Sequence, residues 1–329
     1  MSKVPHTVLR RSPKKIQTMP DHLSAEIRKK TLLVICGPTA IGKTSLAIDI
    51  AKHYQTEIIS ADSRQFYKEM NIGTAKPTPE QLDEVPHHFI NNISIHTKNY
   101  SAGKYEFEVL EFLEKYFRDH DVAVMVGGSG LFINAVCSGF DKFEKEDDNQ
   151  LYVTRKFLNE KSLEWLQQEV ERLDPEYYEK VDKKNPVRLK RALEIIYTTG
   201  KKYSEQRIGK KTERPFNIIK IGLSLPREIL NERINKRVDD MMDQGLLEEV
   251  KQLYLHKKLH ALETVGYTEL FDFIEDKISL EDAVALIKQN TRNYAKRQMT
   301  WFKKDEGVHW FQPGQKNEIE SYLHSKIQG

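Results

Sequence analysis

The sequence predicts an α/β fold, a parallel sheet flanked by helices and interrupted by a smaller all-helical insertion domain. Three observations predict it. Short apolar runs alternate with amphipathic helical stretches over the first 140 residues, and a glycine-framed loop joins the first run to the first helix. A charged, strand-free break near residue 141 then opens a long helical stretch, before another apolar run restores a strand. Strand and helix in alternation imply right-handed crossovers and parallel pairing.

The elements follow in order. "TLLVIC" (31–36) is a continuous apolar run, the pattern of a parallel strand buried on both faces. Past the glycine loop, Leu46, Ala47, Ile50, Ala51 and Tyr54 recur at helical spacing, and "TEIIS" (56–60) is a second short strand ending in "ADSRQ". The adjacent His87 and His88 read as a turn with one structural histidine, since neighbours on an extended backbone point to opposite sides and make a poor metal pair. "NYSAGKYEFEVLEFLEKYFRDH" (99–120) places Tyr105, Val109, Phe112, Leu113 and Phe117 on one helical face, and "VAVMV" (122–126) is a strand closed by "GGSG". Past Gly139, "DKFEKEDDNQ" (141–150) is charged, 151–211 reads as helix, "FNIIKIGLSL" (216–225) is a strand, and helices dominate from Pro226. The expected plan is a basic, mobile tail at 1–30, a first part of the core at 31–140, a helical insertion at 141–185, and a second part of the core with C-terminal helices at 186–329.

A chain of 329 residues suffices for one large α/β domain or for a core with a smaller companion. Its net charge of +3 is unevenly spread: eight Lys/Arg against Asp21 and Glu26 give residues 1–30 a charge of +6, leaving −3 for the other 299. A basic surface for a polyanion must therefore come from clustering. No stretch approaches the ~18 apolar residues of a membrane span, and the first thirty residues lack the apolar core of a secretory signal. Cys36 and Cys137 each sit in an apolar stretch with no CxxC pair, which argues against structural zinc and disulfide stapling and fits a reducing cytoplasm.

Gly37, Pro38, Thr39, Ala40, Ile41, Gly42, Lys43 and Thr44 satisfy G-x-x-x-x-G-K-[ST] between a strand and a helix. This is the phosphate loop of the P-loop NTPase-like sheets. Its glycines let backbone N–H groups turn toward phosphate oxygens, its lysine adds a point charge, and Thr44 can ligate Mg²⁺ at the positive end of the helix. The spacing signals a di- or triphosphate without specifying ATP. The strand "VAVMV" ends in Gly127-Gly128 and offers no Walker-B carboxylate. The acidic residue at a strand end here is Asp62, whose bland competitor is a helix cap or turn residue.

The stretches "GPTAIGKT" (37–44), "ISADSRQFYKEMNIGTAKPT" (59–78), "VPHHFIN" (85–91) and "VGGSGLFINAV" (126–136) together resemble the tRNA dimethylallyltransferase family, also called tRNA isopentenyltransferase. "NPVRLKRALEIIYTTGK" (185–201), "RINKRVDDMMDQGLLEEV" (233–250), "TVGYTEL" (264–270) and "TRNYAKRQMTWF" (291–302) continue the match in order, across roughly 31–311. The resemblance implies transfer of a dimethylallyl group from dimethylallyl diphosphate to N6 of the adenine 3′ of the tRNA anticodon, with pyrophosphate released. It assigns catalytic places to Asp62 as general base, to Lys43 and Arg237 on the diphosphate, and to the hydroxyls of Thr39 and Ser129; many relatives carry Thr where Ser129 stands. On the bare pattern, Arg237 lies on a charged amphipathic helix where most arginines are solvated.

The resemblance also implies Mg²⁺ at Thr44 and four stretches that touch the anticodon stem-loop of tRNA; a cytoplasmic monomer with no membrane partner is expected. The first is Asp62, Ser63, Arg64 and Gln65, with Ser129 beside them. The second is Val187, Arg188, Leu189, Lys190 and Arg191; the third is Glu263, Thr264, Val265, Gly266, Tyr267 and Thr268. The fourth is Lys296, Arg297, Gln298, Met299, Thr300, Trp301, Phe302 and Lys303. An arginine that the family carries early in the insertion has no clear counterpart; Leu151 or Tyr152 falls near it, and Arg155 is the nearest basic residue. Independently, "RLKRAL" puts Arg188 and Arg191 on one helical face, and "RNYAKRQMTWFKK" interleaves basic residues with aromatics, as phosphate tracking and base stacking require. The competing reading is an amphipathic helix whose aromatics enter the core. Two other functions stay open on the residues alone: an isopentenyltransferase acting on free adenine nucleotides, and a small-molecule kinase. The missing Walker-B acid and the later motifs weigh against the kinase. The insertion and the basic-aromatic segment weigh against the free-nucleotide enzyme.

Overall fold

A computed structural model describes residues 30–98, 100–141, 148–207, 209 and 212–327. The tail expected at 1–30 lies outside the described residues except for Lys30.

Strand β1 (Thr31–Cys36) is buried along its whole length, as an unbroken apolar run requires. Helix α1 (Lys43–His53) buries Ala47, Ile48, Ile50 and Ala51, and β2 (Ile58–Ser60) follows. Helix α2 (Pro79–Glu84) opens with a capping box in which Thr78 and Gln81 bond each other's backbone N–H. The expected histidine turn is instead an edge strand, β3 (His87–His88), paired in parallel with Ile58 and Ile59. Its two residues are too few to show periodicity. It is fixed by backbone pairing and by side chains: His87 Nδ1 meets the Val85 carbonyl at 2.7 Å and His88 Nε2 meets the Glu57 carboxylate at 2.5 Å. Helix α3 (Ala102–Tyr116), capped by the Ser101 hydroxyl, buries Tyr105, Val109 and Leu113 on the expected face. Strand β4 (Val122–Gly127) and helix α4 (Gly130–Ser138) complete the first part of the core.

Helices α5 (Asp148–Asn159), α6 (Leu163–Leu173), α7 (Pro175–Lys180), α8 (Pro186–Thr199) and α9 (Tyr203–Gln206) surround an apolar centre of their own. That centre includes Leu158, Leu166, Val170, Tyr177, Leu189 and Leu193. Helix α8 packs on α5 and α6, so the centre reaches past residue 185, and we propose that this unit ends after α9. Asp174 staples its far end. The carboxylate is fully buried and accepts from the Tyr177 N–H at 3.1 Å and from the Ser204 N–H and hydroxyl, each at 2.7 Å. Burial at low cost requires that kind of saturation.

Strand β5 (Asn217–Leu223) re-enters the sheet, followed by α10 (Arg227–Asp243), α11 (Leu246–Leu253), two 3₁₀ turns, α12 (Thr268–Ile274) and α13 (Leu280–Phe302). Strand β6 (Val308–Phe311) then closes the sheet before α14 (Lys316–Ile327). Four residues carry too little pattern to announce β6 in a region expected to be helical. Six strands run in the order β3-β2-β4-β1-β5-β6, all paired in parallel as expected. The loops that follow β2, β4 and β1 therefore emerge side by side at the carboxyl edge, where open α/β sheets bind ligands.

That edge is tightly packed. A Cβ on Gly127 would fall 2.2 Å from the Ala61 carbonyl oxygen, whereas one on Gly103, in the first turn of α3, would find nothing nearer than 3.9 Å. Gly127→Ala should therefore cost about 1–3 kcal/mol through forced overpacking. Gly103→Ala should stabilise by up to about 1 kcal/mol through helix propensity. Thermal melts of the two variants check the opposite signs.

Candidate active site

The phosphate loop ends at Gly42, which caps α1 in the left-handed region at φ 100° with no side chain bonding the helix N-terminus. A left-handed cap favours glycine, and the uncapped N–H groups of the first turn suit an anion. Lys43 Nζ donates to the Pro38 carbonyl at 2.7 Å. Burial pushes the Lys43 ammonium down to about 8; Asp62 opposes this shift and Arg237 adds to it.

Arg237 projects from α10 into the site, its Nη1 donating to Thr39 Oγ1 at 3.4 Å, and burial lowers its pKa. The bland competitor for this residue, a solvated helix face, does not describe it. Asp62 makes a turn contact and also faces the site. Its Oδ1 accepts the Arg64 N–H at 3.0 Å, a turn contact, and its carboxylate lines a cavity with Lys43, Thr39 and Arg237. Ser129 Oγ accepts the Ser63 N–H at 3.0 Å and donates to Ser63 Oγ at 3.1 Å. Topology thus brings Asp62, Ser129 and the phosphate loop together from three adjacent strand ends.

Two cavities meet here. The first, of about 600 Å³, is lined by Thr39, Lys43, Asp62, Arg237, Tyr294 and Arg297 among others. The second, of about 630 Å³, runs along Ala40–Ser45 and is faced by Asn71, Ile72, Ala75 and Lys76. Lys43, Thr44, Ala75, Arg237 and Met241 line both.

The expected RNA-facing stretches divide residue by residue. Arg64 and Gln65 are engaged internally. The Arg64 guanidinium donates to the carbonyls of His260, Ala261 and Glu263, at 3.1 to 3.2 Å. The Gln65 amide donates to those of Thr74 and Ala75. Glu263, Thr264, Val265, Gly266 and Thr268 line the first cavity, but Tyr267 is fully buried with its hydroxyl on Glu249 at 2.6 Å. On α8, Val187 and Arg188 are exposed, while Leu189 belongs to the helical unit's core. Lys190 Nζ holds Asn159 at 3.0 Å, and Arg191 and Arg155 both pair with Glu194. This stretch lines neither cavity.

On α13, Lys296, Arg297, Thr300 and Lys303 are exposed and Met299 is half-buried. The aromatics split: Trp301 keeps 40% of its surface, while Phe302 keeps 3% and sits in the core. Tyr267, Leu189 and Phe302 are thus interior side chains, unlike the surface contacts expected of them. Gln298 is the largest departure. Buried in the site, it accepts the Thr39 N–H at 2.9 Å and donates to the Gly128 carbonyl at 2.9 Å, tying the phosphate loop to the β4–α4 turn. A Cβ on Gly128 would fall 2.2 Å from the Gln298 amide, and one on Gly130 2.2 Å from the Trp301 ring; the "GGSG" turn leaves room for α13. The sequence did not single out Glu269, whose carboxylate accepts from the Gly266 N–H, the Thr268 hydroxyl and the Asn290 amide and shapes the 264–268 turn. The partners of Gln298, 259 and 170 residues away in sequence, leave no local pattern.

The depressed Lys43 predicts a definite sign for the pH dependence of anion binding at the loop. An anion on the loop favours the charged ammonium, which the free site loses above pH 8 or so. Affinity should therefore fall by up to about tenfold per pH unit above that point, with proton uptake on binding. Lys43→Arg, which keeps its charge, should lack this component. Titration calorimetry of both proteins with inorganic pyrophosphate between pH 7 and 9.5 checks it.

The family model described as IPP transferase matches residues 65–305. The chain is 48% identical over 298 residues to tRNA dimethylallyltransferase 1 of Bacteroides fragilis, covering 91% of this chain and 99% of that one. It is 52% identical over 297 residues to the tRNA dimethylallyltransferase of Christiangramia forsetii, covering 90% and 98%. Among solved structures it resembles the full-length tRNA isopentenylpyrophosphate transferase of Bacillus halodurans, with a TM-score of 0.68, 34% identity, and 91% and 97% of the two chains covered. It also resembles a eukaryotic dimethylallyltransferase described as acting on tRNA, with a TM-score of 0.75, 27% identity, and 90% and 77% covered. The motif walk, the sheet and these likenesses agree: the chain belongs to the tRNA dimethylallyltransferase (IPP transferase) family.

Proposed function

We propose that this protein transfers the dimethylallyl group of dimethylallyl diphosphate to N6 of the adenine 3′ of the anticodon in tRNA, releasing pyrophosphate. The observation that carries this reading is the single cavity in which the Asp62 carboxylate faces Lys43 and Arg237. It joins a proton acceptor to two cations suited to a departing diphosphate.

The exocyclic amine is a weak nucleophile because its lone pair is delocalised into the ring. As nitrogen bonds to the first carbon of the allyl group, the C–O electron pair passes to the diphosphate and the amine proton passes to Asp62. Charge then grows on the leaving group, where the loop N–H groups, Lys43 and Arg237 stand ready, with Thr39 holding the Arg237 guanidinium. The hydroxyl of Thr44, which lines both cavities, supports a place for Mg²⁺ beside the diphosphate. A small cation that keeps several waters and takes phosphate oxygens needs few protein ligands. Thr44 would hold it, and when bound it supplies charge neutralisation to the diphosphate. Arg188 on the helical unit and Lys296, Arg297 and Trp301 on α13 are exposed, which leaves them open to stem and loop contacts. We read the enzyme as a cytoplasmic monomer. Both cysteines are free and buried, and no helix among the described residues is long and apolar enough to cross a membrane.

Asp62→Asn should slow single-turnover transfer by roughly 10²–10⁴-fold with both substrates still bound. Transfer should be efficient to an anticodon stem-loop with consecutive adenines 3′ of the anticodon, whose stem and loop contacts offset the few kcal/mol of extruding a stacked base, and very poor to AMP, which brings none of those contacts. Parallel assays with labelled dimethylallyl diphosphate and Mg²⁺ test both; comparable kcat/KM for AMP would move the enzyme to free nucleotides.

Arg188→Ala and Arg297→Ala should each lower the log–log salt slope of stem-loop binding by about 0.7–0.9. Arg191→Ala, whose guanidinium already faces Glu194 at 2.9 Å, should lower it less. Binding isotherms across a salt series give the three slopes.

A further inference from the structure

Neither cavity is lined by Glu249, yet its carboxylate bonds the loop that lines both. Three successive backbone N–H groups, from Asn71, Ile72 and Gly73, converge on its carboxylate at 2.9, 2.8 and 3.1 Å. Successive N–H groups turned inward form an anion-binding concavity, here filled by a side chain from α11, 176 to 178 residues away in sequence. The same carboxylate accepts the Tyr267 hydroxyl at 2.6 Å. The Tyr267 ring lies against Gly73, where a Cβ would approach it to 2.5 Å.

The residues on either side of Gly73 form the wall of the site. Ala75 lines both cavities, and Ile72 and Lys76 face Ala40–Ser45 across the second. Ala75 sits at φ 49°, a left-handed conformation that a β-carbon residue keeps only when its surroundings impose it. Gln65 secures the carbonyls of Thr74 and Ala75 from one side, and Glu249 secures the N–H groups just before them from the other. A glutamine at 249 keeps the size but not the function: it has one acceptor oxygen, and its amide hydrogens oppose N–H donors.

We propose that Glu249, braced by Tyr267, is a positioning residue for the diphosphate side of the active site, acting through the Asn71–Lys76 loop. The inference rests on the allyl-transfer function above for its kinetic consequence but not for its binding consequence. With the loop loosened, the second cavity loses its fixed wall opposite the phosphate loop. Glu249→Gln should raise the pyrophosphate Kd and the donor KM by about tenfold, while the stem-loop KM stays within about twofold. Tyr267→Phe, which keeps the carboxylate but removes one donor to it, should raise them by about threefold.

The experiment pairs calorimetry of each variant with inorganic pyrophosphate, steady-state kinetics in both substrates, and a thermal melt to establish folding. A folded Glu249→Gln protein with unchanged pyrophosphate Kd and donor KM would overturn the proposal. So would a rise in the stem-loop KM equal to that in the donor KM, which marks general loosening. Should Glu249→Gln fail to fold, Tyr267→Phe carries the same comparison, and an unchanged pyrophosphate Kd in that variant overturns it. If the wild type binds pyrophosphate yet transfers no allyl group, the proposed function fails, while the pyrophosphate comparison still decides the role of Glu249.

Discussion

Two cations, Lys43 and Arg237, stand partly out of water at the carboxyl edge of the sheet. Neither has a carboxylate within ion-pair distance among the described residues, and burial depresses both. Desolvated charge without a partner is costly, and here the cost is concentrated where an anion would relieve it. The flanking geometry serves that arrangement: a left-handed glycine cap leaves the α1 N-terminus open, Thr39 holds Arg237, and Asp62 sits near enough to oppose the depression of Lys43 without forming an ion pair. A ligand that binds only the folded state and pairs these charges stabilises that state in proportion to its occupancy.

The rest of the site is fixed by polar groups that bond each other. Gln298 joins the phosphate loop to the β4–α4 turn, Arg64 gathers three carbonyls of the 260–263 segment, Gln65 and Glu249 hold the 71–76 loop from two sides, and Glu269 shapes the 264–268 turn. Most of these bonds join segments far apart in sequence, and together they leave few side chains free to rearrange. Preorganised donors and cations that need not move during reaction are the main source of electrostatic catalysis. Helix α13 runs between the two kinds of role: Gln298 points inward to the phosphate loop, while Arg297 and Trp301 nearby on the same helix remain exposed.

How much of this was legible depends on whether the cause was local. Strands β1 and β4 and helices α1 and α3 follow from apolar runs and helical spacing, and the phosphate loop follows from a fixed spacing of Gly, Lys and Thr; the parallel sheet then places Asp62 and Ser129 beside it. Strands β3 and β6, of two and four residues, are too short for any period to show. The packing of α8 on α5 and α6 was hidden because an amphipathic face says that a helix packs, not on what. The basic-aromatic segment shows the same limit at single residues. Phe302 enters the core and Trp301 does not, although both fit either reading of the pattern. Arg64, Gln65 and Gln298 look like polar surface residues in sequence; only the fold reveals that their partners lie within the protein.

In the proposed reaction the phosphate loop grips a leaving group, so that the bond broken is carbon–oxygen and no phosphoryl group is transferred. Dimethylallyl diphosphate carrying ¹⁸O at the bridging position between carbon and phosphorus tests this most directly, with an anticodon stem-loop as acceptor and mass spectrometry of both products. All of the label should appear in pyrophosphate, and the adenine should gain the five-carbon group with no phosphorus. Label retained with the carbon fragment, or phosphate found on the acceptor, would contradict the claim.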